Sequence, residues 1–115
     1  MTAPIVFFDI AGPDDNLLRK FYSKVFGWEL DDGNQFTVNV ISPFKGAIRK
    51  DPVEKRIYLG VSDVTQTLNL VETNGGSVDT PRFEVPGLVI LGLFKDPAGN
   101  AMGLVEMEGD KLRIP

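Results

Sequence analysis

Apolar positions along the chain fall into two runs of similar order. The first begins with Ile5-Val6-Phe7-Phe8-Asp9-Ile10, closed by Gly12-Pro13, which is the pattern of a buried strand ending in a turn. Asp14-Asp15-Asn16 then offers good N-cap residues. Leu17, Leu18, Phe21, Tyr22, Val25 and Phe26 follow with the spacing of one helix face, and Gly27 stands where the helix must stop. Trp28-Glu29-Leu30 starts an extended segment and Asp31-Asp32-Gly33-Asn34 is a turn signal. Residues 35–40 alternate as a half-buried antiparallel strand, and a shorter piece over 44–49 completes a meander.

After the polar connection 50–55 the order repeats. Residues 56–62 read as a strand, and Asp63-Val64-Thr65-Gln66 has the form of a capping box. Val64, Leu68 and Val71 keep helical spacing until Asn74-Gly75-Gly76. Three strand-like runs follow, over 77–85, 88–95 and 101–107, parted by Pro86-Gly87 and by Asp96-Pro97-Ala98-Gly99-Asn100. A shift of 49 positions lays Asp14 on Asp63, Gly27 on Gly76 and Phe7 on Arg56, so both helices begin and end alike. The expected fold is α+β: one domain over 1–115, built from two βαβββ modules at about 4–50 and 55–108.

Composition narrows the chemistry. At 115 residues and 43% hydrophobic, the chain is the size of one domain with material for a core. Twelve Lys and Arg against 16 Asp and Glu give a net charge of -4, the wrong sign for a phosphate backbone, so nucleic acid is not an expected partner. The apolar run near Met1 has no basic flank and is too short to span a membrane, which points to a cytoplasmic protein with no membrane partner. Cysteine and histidine are both absent. Thiolate chemistry, histidine bases and a zinc site are thereby set aside, and carboxylates, amides and water would be left to hold a harder cation.

Three strings carry a resemblance. Phe8-Asp9-Ile10 precedes Asp14 and then Phe21-Tyr22-Ser23-Lys24-Val25-Phe26-Gly27-Trp28; Val61-Ser62-Asp63-Val64 precedes Asn74-Gly75-Gly76; and Phe94-Lys95-Asp96-Pro97-Ala98-Gly99-Asn100 precedes Gly103-Leu104. In this order they resemble the glyoxalase/bleomycin-resistance/dioxygenase superfamily, also called vicinal-oxygen-chelate proteins, in a small lactoylglutathione-lyase-like form. Each string also has a fold-building role of its own. The aromatics cover a helix face, and the Pro, Gly and Asn shape a turn.

The resemblance implies a curved half-barrel of mixed sheet whose inner face carries the metal ligands of the chelating members. It puts the first-strand ligand positions at Phe7 and Arg56, a last-strand position at Gly103, and the fourth near Ala47 or Ile48. None of these side chains ligates a divalent cation, so no metal and no cofactor are expected. Alternation along the strands points Phe7 and Asp9 inward, puts Arg56 and Tyr58 on one face with Gly60 beside them, and turns Phe36 and Phe94 toward the same cavity. The expected site is thus Phe7, Asp9, Phe36, Arg56, Tyr58, Phe94 and Gly103, an aromatic-lined cleft for a small organic molecule, anionic or aromatic, with Arg56 as the anion clamp.

Structural roles compete for the same residues. Asp9 could pair with Arg56 across the modules, Tyr58 and Phe7 could fill core, Trp28 could anchor a dimer or edge the core, and Glu106, Glu108 and Asp110 would form a solvated face. The functional expectation is a metal-free binding protein that forms a homodimer, as the family does. The alternative is a lyase, isomerase or dioxygenase of the same superfamily, with Asp9 or Tyr58 as base and Arg56 stabilising an enolate.

Overall fold

The computed structural model describes residues 8–42 and 44–115. Its elements are α1 (Asp15–Phe26), β1 (Ile57–Val61), α2 (Val64–Thr73), β2 (Ser77–Val85), β3 (Val89–Lys95), β4 (Ala101–Glu108) and β5 (Lys111–Leu112). The helices end as their sequences dictate. The Asp14 carboxylate accepts from Leu17 N–H at 3.1 Å and Asp63 from Gln66 N–H at 2.9 Å, each occupying a donor that the first helical turn leaves unpaired. Gly27 closes α1 at φ 70°, a left-handed conformation that costs glycine little.

The sheet is mixed and open, in the order β1-β4-β3-β2, with β5 hydrogen-bonded to the end of β4. β1 runs parallel to β4, while β2, β3 and β4 form antiparallel pairs. Two register shifts in β2, at Val78/Thr80 and Thr80/Phe83, mark irregularities of the kind that bend a sheet. Val64, Leu68 and Val71 of α2 and Leu18, Phe21 and Tyr22 of α1 pack with Phe94, Met102 and Leu104 to form the core. Gly92 lets α2 approach: a Cβ there would fall 2.5 Å from Val64 Cγ1.

The α+β class and the second βαβββ module stand as expected, with β5 as an addition that no pattern announced. Among the described residues, the first module supplies a helix and no paired strand. Segments 8–10, 28–30, 35–40 and 44–49 run outside the sheet. Residues 5–7 of the first expected strand lie outside the described residues. Alternation sets which side chains would share a face, but a strand also needs a neighbour to take its backbone hydrogen bonds. Val38, Val40, Phe44 and Ile48 consequently stay exposed.

Candidate functional site

The turn Asp96-Pro97-Ala98-Gly99-Asn100 ties the two halves together. Asp96 is 3% exposed, and its carboxylate accepts from Ala98 N–H and Asn100 N–H at 2.9 Å, from the Asn100 amide at 2.8 Å and from the Tyr22 hydroxyl at 3.0 Å. The Asn100 amide also donates to the carbonyl of Ala11 at 2.9 Å. Burial, reinforced by the neighbouring Asp96 carboxylate, pushes the Tyr22 phenol far above its ordinary value, so it remains a donor. The turn thereby fixes α1 and the start of the described chain against the sheet.

Beside this anchor, α1 and the segments on either side of it line an open-sided cavity of about 380 Å³. Its aromatic wall is ordered by stacking. Tyr22 lies parallel to Trp28 with ring centres 4.7 Å apart, and Trp28 to Phe36 at 4.5 Å. Phe8 meets Trp28 and Phe36 edge-on, at 6.4 and 5.9 Å. Asp9, Asp15, Arg19, Asn34 and Gln35 bring polar groups to the lining. Arg19 shapes the loop: it donates to the carbonyls of Leu30 and Asp31, both at 2.7 Å, and to Asn34 Oδ1 at 2.8 Å.

The expected site residues separate into three places. Asp9 and Phe36 line the cavity, joined there by Trp28 and Phe8. Phe8 and Asp9 are of opposite parity, yet both line the cavity, because their segment is not a strand and alternation does not govern it. Arg56, Tyr58 and Gly103 lie together at the β1/β4 pair, where Tyr58 is the register partner of Gly103. Phe94 is fully buried, stacked on Phe26 at 5.9 Å and beside Phe21 at 6.2 Å; it faces the helices and serves the core. Phe7 lies outside the described residues.

Arg56 does not meet Asp9; it donates to Glu54 Oε1 and to the carbonyl of Met102, at 2.7 and 2.8 Å, and Glu54 is also paired with Arg49. Its charge is therefore already engaged on its own edge of the sheet. Glu106 is not solvated as its tail position suggested. It is 3% exposed and shares with Met102 and Leu104 the side of β4 that faces the helices. Arg82 donates to both of its oxygens at 3.0 Å, Arg113 to one at 3.3 Å, and Val64 N–H at the start of α2 to the other at 3.1 Å. These contacts, with the Arg82 hydrogen bonds foremost, hold its carboxyl at about 2, below the ordinary 4.5.

The residues at the expected ligand positions do not fit a divalent cation. Gly103 offers no ligand, and a Cβ built on it would lie 2.4 Å from Tyr58 Cδ2, so the Tyr58 ring occupies the space a longer side chain would need. Arg56 brings positive charge to the same pair of strands. Among the described residues, no three Asp or Glu converge as a ligand set.

Comparison with known proteins follows the fold. The chain is 30% identical over 111 aligned positions to the candidate glyoxylase CFP32, in Mycobacterium bovis and in Mycobacterium tuberculosis alike, a match spanning 84% of this chain. It covers 42% of those relatives, less than half their length. No family model matches. Among solved structures, hypothetical protein SA1046 from S. aureus superposes with TM-score 0.66 at 20% identity, over 93% of this chain and 96% of that one. A glyoxalase-related enzyme from Fulvimarina pelagi superposes with TM-score 0.66 at 17% identity, over 92% and 89%. A glyoxalase/bleomycin resistance protein/dioxygenase family enzyme from Burkholderia phytofirmans gives 0.61 at 12% identity, over 83% and 91%. At these identities the structures speak for the fold alone.

Proposed function

We propose, from the premise that the chain belongs to the glyoxalase/bleomycin-resistance/dioxygenase superfamily, that it binds a small aromatic molecule without the help of a metal. The binding place is the cavity beside α1. The observation that carries this reading is the ordered stack of Tyr22, Trp28 and Phe36 with Phe8 set across it. A volume of about 380 Å³ suits a ligand of one to three fused rings. With Trp28 stacked between Tyr22 and Phe36, a planar ring would meet the wall at Phe36 and Phe8, gaining about 0.5–1.5 kcal/mol per aromatic contact beyond the area it buries.

Two features support metal independence: Arg56 and Gly103 stand at positions where the superfamily resemblance expects ligands, and the Tyr58 ring occupies the space that a side chain on Gly103 would need. Homodimerisation, implied by the superfamily resemblance, and the cytoplasmic setting expected from the sequence belong to the same proposal.

Trp28 is the one tryptophan in the chain and lines the cavity, so its fluorescence reports occupancy directly. Titration with quinoline as a neutral planar probe should quench Trp28 emission to saturation, unchanged by a chelator. Phe36→Ala should weaken binding about tenfold. Absence of saturable quenching would refute the binding reading, and loss of binding on chelation would refute its independence of metal.

A further inference from the structure

We infer that the cavity selects a planar aromatic cation, an inference that rests on the reading of this cavity as an aromatic binding site. Three observations combine. First, two carboxylates, Asp9 and Asp15, stand in the lining against a single guanidinium, Arg19. Second, the carboxylates lack cationic partners while the guanidinium is occupied. Asp9 is exposed and makes no ion pair among the described residues, and Asp15 accepts from the neutral amide of Asn34 at 2.9 Å. Arg19 is held by the carbonyls of Leu30 and Asp31 and by Asn34 Oδ1, which leaves it poorly placed to grip an incoming carboxylate in a two-pronged way. Third, Phe8 and Phe36 bring aromatic rings to the lining, and such rings attract cations; Trp28 stands behind them, stacked between Tyr22 and Phe36.

An anionic ligand has no corresponding support at this place. Arg56, the anion clamp expected from sequence, is not in the lining and is paired with Glu54. An anion entering the cavity would face the carboxylates of Asp9 and Asp15. A delocalised cation, such as a quaternised nitrogen heterocycle, can meet the rings of Phe36 and Phe8 while its charge is shared with Asp9. It also needs less desolvation than a compact ammonium, which suits a half-buried site.

Three probes of nearly equal shape test this: quinoline, N-methylquinolinium and quinoline-6-carboxylate, each titrated into the full chain while Trp28 fluorescence is followed. The cation should bind about tenfold tighter than quinoline, and the carboxylate weaker than both. Asp9→Asn should remove most of that ratio of cation to neutral affinity. In the unmodified protein, raising the salt should shrink the same ratio, so the inference remains exposed to refutation even if the variant misfolds. Equal affinity for all three, or tightest binding of the carboxylate, overturns the charge selection while leaving an aromatic site in place. Failure of all three to bind overturns the site itself.

Discussion

The ring of Tyr58 lies on Gly103 across the parallel β1/β4 pair, so close that a Cβ on the glycine would fall 2.4 Å from Cδ2 and 2.5 Å from Cε2. Gly103→Glu should therefore destabilise the fold rather than create a cation site. Because Tyr58 is 45% exposed, the ring can swing toward solvent, and the loss should stay at about 1–3 kcal/mol. The double variant with Tyr58→Ala should recover part of it. Thermal unfolding with and without manganese checks both points: a midpoint raised by the metal in Gly103→Glu alone would contradict the occupied-space argument.

Tyr22 and Asp96 make a second testable pair. Tyr22→Phe leaves the aromatic packing intact and removes one of the four donors to a carboxylate that is 3% exposed. The expected loss is about 1.5–3 kcal/mol, the range for a hydrogen bond to a charged group. The raised phenol also fixes a pH dependence. Its folded value lies above the ordinary 10, so the stability it contributes is complete below pH 10 and is lost as the pH climbs beyond it. Denaturant unfolding at pH 8 and at pH 11 should show a smaller drop for Tyr22→Phe than for the unmodified chain; parallel drops would contradict the assignment.

Why some of this was legible in the sequence and some was not follows from how far each signal reaches. Asp14, Gly27 and Asp63 act on groups within four residues, and these caps appear where the residue types put them. The second module was readable because its alternating strands have one another as partners. Residues 35–40 alternate just as clearly, yet alternation does not provide a neighbouring backbone. At Glu106 the acidic neighbours Glu108 and Asp110 are a misleading signal. Its period-two relation to Met102 and Leu104 was the better signal, and it placed the carboxylate on the helix side, where burial required partners. Phe94 failed in the same way, since its parity with the buried Ile90 and Gly92 marks the core side. The aromatic cavity depends on how the segments either side of α1 fold back onto the helix, which no periodicity sets, and of its lining the sequence pointed only to Asp9 and Phe36 as site residues.

Arg19 governs the rim of that cavity through the carbonyls of Leu30 and Asp31 and the side chain of Asn34. Arg19→Ala should cost about 1–2 kcal/mol and free the loop. Arg19→Lys should restore little, because one ammonium cannot reproduce the planar fork that reaches three acceptors. Hydrogen exchange at Asn34 and Gln35, whose amides donate to Asp31, should accelerate in both variants, and Trp28 emission should shift to the red as water enters. Unchanged exchange at these amides would show that the loop holds its shape without Arg19.

Glu106 sets the acid limit of the fold. Its carboxylate accepts from Arg82, Arg113 and the first amide of α2, so removing its charge loosens β2, the chain end and the helix start together. The folded value of about 2 lies below the ordinary 4.5, so the stabilisation is complete above pH 4.5 and disappears as the pH falls toward 2. Glu106→Gln keeps the shape of the side chain but leaves Arg82 and Arg113 facing a neutral amide. At pH 7 it should lower the unfolding midpoint well beyond the effect of Glu108→Gln, whose side chain is exposed. As the pH is lowered from 4.5 toward 2, the gap between Glu106→Gln and the unmodified chain should close, since protonation removes the same charge from both. A gap that stays constant through this window would mean that the arginines hold Glu106 by shape alone, and that its charge contributes nothing to the fold.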